Sequence, residues 1–100
     1  MQYRVRVHEN ENKNGMSLGE FQAKLLKYLR KKERDEPKFT DDRSHHKLRT
    51  GLDVTLFPMN GNGMLEMLVE GNLDAFGRSI SAINRIYDGN IEISYLNEKY

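Results

Sequence analysis

Leu52-Asp53-Val54-Thr55-Leu56-Phe57, then Asn60-Gly61-Asn62-Gly63, then Leu65-Glu66-Met67-Leu68-Val69-Glu70: this stretch decides the fold. Leu52, Val54 and Leu56 alternate with Asp53, Thr55 and Phe57, and Leu65, Met67 and Val69 alternate with Glu66, Leu68 and Glu70. A period of two places each apolar set on one face of a strand. The glycines between the two runs supply the positive φ that a tight reversal needs. The reading is a β-hairpin with one apolar face.

On its C-terminal side, Asn72 follows Gly71 and predicts a helix N-cap. Leu73, Phe76, Ile80, Ile83 and Tyr87 then recur at spacings of three and four, which makes one helical stripe. Asp88-Gly89-Asn90 closes that helix, with Gly89 at the position just past its end. A last strand over 91–96 alternates Ile91, Ile93 and Tyr95 with Glu92, Ser94 and Leu96.

On the N-terminal side lies a helix with strong punctuation. Ser17 followed by Glu20 is a capping box, and Met16 and Phe21 are placed to staple it. Leu18, Phe21, Leu25, Tyr28 and Leu29 form its stripe, and the pattern fades before Pro37. Before it, residues 9–15 are polar and Asn-rich and read as a loop. The first strand covers 2–8, with Tyr3, Val5 and Val7 alternating with Arg4, Arg6 and His8. Between helix and hairpin, residues 33–51 contain only Phe39 and Leu48 as large apolar members and read as a long polar, basic loop.

The order is β-α-β-β-α-β over one domain, residues 1–100. Two right-handed crossovers joined by a hairpin predict an α+β, ferredoxin-like α/β plait: a four-stranded antiparallel sheet in the order 4-1-3-2, with both helices on one face. The inward sets are Tyr3/Val5/Val7, Leu52/Val54/Leu56, Leu65/Met67/Val69 and Ile91/Ile93/Tyr95.

Composition narrows the function classes. The chain has no Cys, which excludes disulfides, thiolate metal sites and thiol catalysis. No apolar run reaches the roughly 18 residues of a membrane span. The first residues alternate and show no signal-peptide apolar core, so a cytoplasmic protein without membrane contact is expected. The core of so short a chain is modest, which favours burial against a partner or a second copy.

This fold hosts unrelated activities, so function must come from a site. The outward residues of the first and third strands, Arg4/Arg6/His8 and Glu66/Leu68/Glu70, form opposite-charge pairs rather than an aromatic base-stacking platform. Phe57, Leu68 and Leu96 also point outward and form a candidate dimer face; pairing along the edge of the 52–57 strand is the other route to a homodimer. His45-His46 could ligate a metal with Asp41, Asp42 or His8, but adjacent residues rarely address one ion. No nucleophile, base or cofactor loop is positioned by a motif, so no catalytic residue, cofactor or metal is assigned and the chain is expected not to be an enzyme.

Charge distribution rises above this background. The chain holds 16 Lys and Arg against 15 Asp and Glu, yet ten of those cations and only five of the acids lie between Lys24 and Arg49. A helix face paired by contacts such as Glu20 with Lys24 would be merely solvated. The functional reading is a macromolecule-binding surface of Lys24, Lys27, Arg30, Lys31, Arg34, Lys38, Arg43, Lys47 and Arg49. The expectation is a small interaction or regulatory domain, an accessory subunit or inhibitor, that binds a protein. The alternative is nucleic-acid binding through phosphate contacts on the same surface. Interleaved acids favour the protein.

Overall fold

Two helices pack against one face of a six-stranded antiparallel sheet in the computed structural model. It describes residues 1–8, 16–59, 63–86 and 90–96. The elements are β1 (Gln2–His8), α1 (Leu18–Lys32), β2 (Lys38–Thr40), β3 (Arg43–Lys47), β4 (Asp53–Leu56), β5 (Met64–Glu70), α2 (Leu73–Ile86) and β6 (Asn90–Leu96). The expected loop at 9–15, the reversal at 60–62 and the helix closure at 87–89 lie outside the described residues.

The strands run β2-β3-β4-β5-β1-β6, and every neighbouring pair is antiparallel. The α+β class holds, with six strands rather than four. The difference lies within residues 33–51. Lys38–Thr40 and Arg43–Lys47 pair as a hairpin, with Thr40 opposite Arg43 and only Asp41 and Asp42 between them. Both turn residues have positive φ, 53° and 63°, the signature of a two-residue turn whose twist matches that of the strands. Asp tolerates that region better than most side chains.

Both helices begin as the residues dictate. The Ser17 hydroxyl accepts from the Glu20 N–H at 3.2 Å, and the Glu20 carboxylate reaches back to the Ser17 N–H at 3.5 Å. The Asn72 side chain accepts from the Ala75 N–H at 2.8 Å. The C-cap of α1 is Glu33, whose extended backbone lets the chain leave the helix and bridge to Leu48. Arg34 N–H to Lys47 C=O and Arg49 N–H to Lys32 C=O, both 2.8 Å, complete that seam.

The core is a single cluster. Tyr3, Val5 and Val7 of β1, Leu65, Met67 and Val69 of β5, and Val54 and Leu56 of β4, with Leu52 just before it, meet Leu18, Phe21, Leu25 and Leu29 of α1. α2 enters through Phe76, whose ring stacks on Tyr3 at 3.8 Å between centroids. Two expectations are corrected here. The buried face of α2 is Ala75, Phe76, Ser79 and Ile83, while Leu73, placed in the stripe, is exposed. Ile93 and Tyr95 share the core-side face by register but are 44% and 61% exposed. They sit on the edge strand, where the helix layer no longer covers the sheet; Tyr95 keeps an edge-on contact with Tyr3.

Candidate functional site

Helix periodicity distributes the basic residues of α1. Its stripe Leu18, Phe21, Leu25 and Leu29 is buried, while Lys24, Lys27, Arg30 and Lys31 are all exposed. At about 100° per residue, Lys24, Lys27 and Lys31 fall within about 60° of arc on the side away from the core, with Arg30 beside them. Lys24 to Lys31 spans about 10 Å of axis. None of these four has an ion-pair partner among the described residues. The expected Glu20–Lys24 pair does not form, because Glu20 is engaged by the cap at Ser17. Arg30, Lys31 and Lys32 occupy the last turn, where a cation is favoured by the helix dipole. Lys24 and Lys27 lie outside that turn, and like charges three and four apart repel by about 0.2–0.5 kcal/mol per pair.

The other proposed contact residues divide between places. Arg34 is exposed at the seam and meets Asp35 at 3.5 Å, and Arg49 is exposed on the far side of the same seam. Lys38, Arg43 and Lys47 stand on the sheet face opposite the helices, Lys38 in the row of His45 and Thr55, Lys47 opposite Asp53 and Arg43 opposite Thr40. Arg43 lies over the Phe57 ring at 4.7 Å. The nine residues therefore do not form one patch. The α1 stripe and the hairpin cations face opposite ways.

Over β1, β5 and β6 that open sheet face is self-neutralised. Glu66 on β5 accepts from Arg4 at 2.6 Å and from Arg6 at 3.1 Å, and Arg6 reaches Glu92 on β6 at 3.1 Å. His8 lies 3.8 Å from Glu92. The hydrogen bond from Arg4, reinforced by Arg6, holds the Glu66 carboxyl below its ordinary pKa against the opposing effect of burial. Phe57, Leu68 and Leu96 lie half-buried on this face. They are not contiguous: Leu68 is opposite Thr55 and Arg4, Leu96 is opposite Gln2, and Phe57 is capped by Arg43. The second expected dimer route is also closed, because β3 occupies the edge of β4.

The adjacent histidines sit on a strand, and its period of two turns them to opposite faces. His45 Nδ1 is 3.2 Å from the Thr55 hydroxyl on the open face. His46 is 2% exposed on the core side. Its Nδ1 lies 2.5 Å from a Glu33 carboxylate oxygen and its Nε2 lies 2.9 Å from the Ser44 hydroxyl. An ionised carboxylate can only accept, so Nδ1 carries the shared proton. This buried chain fastens the hairpin to the end of α1. Composition does not announce it, because Glu33 and His46 are brought together only by the seam. No group of three or more His, Asp or Glu among the described residues is placed to hold a metal. No helix of the described residues is long and apolar enough to cross a membrane.

Comparisons with protein-family models, with curated proteins and with solved structures return no match for this chain.

Proposed function

We propose that the chain is a ferredoxin-like plait enlarged by a hairpin, and that it is a non-enzymatic module binding an acidic protein surface through the cationic stripe of α1. The sheet order supports the first part: β6-β1-β5-β4 is the 4-1-3-2 order of a plait, with β2-β3 added beyond it. One contrast carries the second. The cations Arg4 and Arg6 on the open sheet face are matched to carboxylates, whereas Lys24, Lys27, Arg30 and Lys31 are exposed together and unmatched among the described residues. Like charges gathered on a helix face oppose folding, so their grouping is accounted for by an external counter-charge.

A protein suits this surface better than a phosphate backbone. The stripe covers about 10 Å, room for only a few phosphates. Asp35 and Glu36 are exposed just past it, and Asp41 and Asp42 are exposed at the hairpin tip. A partner with its own discrete charge pattern can use both signs; a polyanion cannot. Affinity capture on the wild-type chain and on a Lys24→Glu/Lys27→Glu/Lys31→Glu variant tests this, with duplex and single-stranded DNA titrated in parallel by fluorescence anisotropy. Proteins retained by the wild type and lost by the variant are the expected result. Identical captured sets would refute it. So would micromolar DNA binding whose log K falls with log salt by about 0.9 per phosphate contact, which would hand the surface to nucleic acid.

A further inference from the structure

α2 carries small side chains where its buried face meets α1. Ala75, Ser79 and Ala82 recur at spacings of four and three, and all three line a cavity of about 450 Å³ between α2 and the C-terminal end of α1. Arg78 and Arg85 line the same cavity from α2, two helical turns or about 10 Å apart, and Lys32 closes it from α1. Three cations thus address one space. None of the described residues lining it carries a carboxylate, and none of the three cations has an ion-pair partner among the described residues.

Ser79 supplies an independent observation. It is 8% exposed, and its hydroxyl has no hydrogen-bond partner among the described residues. That hydroxyl lines the cavity rather than the sealed interior, so it is free to donate to a molecule bound there. Thr50 and Ser81 add hydroxyls to the lining, and Tyr28 and Leu48 add apolar surface.

We propose that this cavity binds a phosphomonoester. The phosphate sits between Arg78, Arg85 and Lys32, with the Ser79 hydroxyl donating to one of its oxygens, and the organic group rests against Tyr28 and Leu48. Two guanidinium forks and an ammonium match a dianion with three terminal oxygens better than they match a single carboxylate. The volume lies within the range of small-molecule sites, and leaves room beside the phosphate for an organic part. The residues are separate from Lys24, Lys27 and Lys31, so this inference stands apart from the protein-binding reading.

Phenyl phosphate, inorganic phosphate and benzoate are titrated into the full chain, followed by calorimetry and by amide chemical shifts. Saturable binding of phenyl phosphate with a Kd of about 1 mM or tighter is expected, with shifts centred on residues 75–85 and 28–32. Arg78→Gln and Arg85→Gln, both at exposed positions, each weaken it about tenfold. Ser79→Ala weakens it about threefold without lowering Tm, because the hydroxyl has no partner inside the protein to lose. Lys24→Glu/Lys27→Glu/Lys31→Glu keeps the binding within about threefold, as expected for distant screened charges. No saturation by about 10 mM would overturn the proposal. So would equal binding of inorganic phosphate or benzoate, unchanged affinity in both arginine variants, or a lowered Tm in Ser79→Ala.

Discussion

Replacing Glu33 by Ala removes the acceptor that holds His46 and leaves a ring nitrogen buried without a partner. The two side chains are 8% and 3% exposed, so water replaces little of what is lost. A hydrogen bond to a charged group in that setting contributes about 1.5–3 kcal/mol. A domain of this size unfolds with an entropy near 0.2 kcal/mol/K, so each kcal/mol moves Tm by about 5 °C. Glu33→Ala should therefore lower Tm by about 8–15 °C. Glu33→Gln keeps an acceptor oxygen and loses only the charge assistance, about 1 kcal/mol or 5 °C. His46→Leu strands the carboxylate instead and should be the worst of the three, at about 3–5 kcal/mol. The double variant Glu33→Met/His46→Leu removes both polar groups from the buried site. It should be less damaging than His46→Leu alone, since paired removal leaves nothing unsatisfied.

Calorimetry gives the Tm series, and amide exchange locates the effect. In Glu33→Ala the backbone bonds Arg34 to Lys47 and Arg49 to Lys32 remain, so the seam should stay protected. Exchange should instead accelerate in β2 and in β3 ahead of Lys47, where the hairpin is held only by β4 and the Glu33 fastening. A Glu33→Ala protein within about 0.5 kcal/mol of wild type would refute this account. Strictly additive costs in the double variant would do the same, because the two groups would then act independently.

Two further perturbations follow from the geometry. A methyl at Gly71, where φ is 155°, would run into the Leu52 side chain and approach its Cα at 3.4 Å; because Leu52 is fully buried, Gly71→Ala should cost about 2–3 kcal/mol, whereas Gly51→Ala meets open space at φ 94° and should cost only backbone strain of about 1 kcal/mol, both read by urea unfolding. Glu66 has a folded pKa below its unfolded value, so its contribution is complete above the ordinary carboxylate range and fades as pH falls through the lowered folded value; Glu66→Gln should be about 1 kcal/mol less stable than wild type from pH 7 to 5, and the gap should close below about pH 4. A gap that persists unchanged at pH 2–3 would show that shape, not charge, sets the Glu66 contribution.

The legible part of the fold is the part with two different faces. β1, β4 and β5 each have one side on the core and one in water, so apolar and polar residues alternate and the strands declare themselves. α1 was readable to its first residue because the cap at Ser17 and Glu20 is a local interaction. β2 and β3 lack that contrast. They reach beyond the helix layer, so the core-side positions of β3 are Ser44 and His46, and Phe39 on β2 is left 74% exposed. A strand polar on both faces looks like a loop, and Asp41-Asp42 is a weaker turn signal than Asn-Gly. The same limit applies to the surface: the basic excess from Lys24 to Arg49 is visible in composition, but only the register shows that strand alternation turns Lys38, Arg43 and Lys47 away from the helix stripe.

The added hairpin also changes which edges the molecule presents. A sheet ending at β4 would offer an unpaired strand beside buried Val54 and Leu56, an invitation to pair with another chain. β3 covers that strand, and the new edge, β2, has three residues, carries Lys38, and ends at two aspartates. Short charged edges of this kind resist pairing. The fastening of His46 to Glu33 is therefore more than an attachment: by keeping β3 on β4 it keeps the polar side of the sheet closed. The opposite edge, β6, is seven residues long, carries one charge at Glu92 and shows Ile93 and Tyr95 to solvent. Among the described strands it is the edge left without such protection, and so the one that favours strand-mediated self-association. Loosening the Glu33–His46 contact would open a second edge at β4, and the destabilised variants should then aggregate more readily than their Tm alone implies.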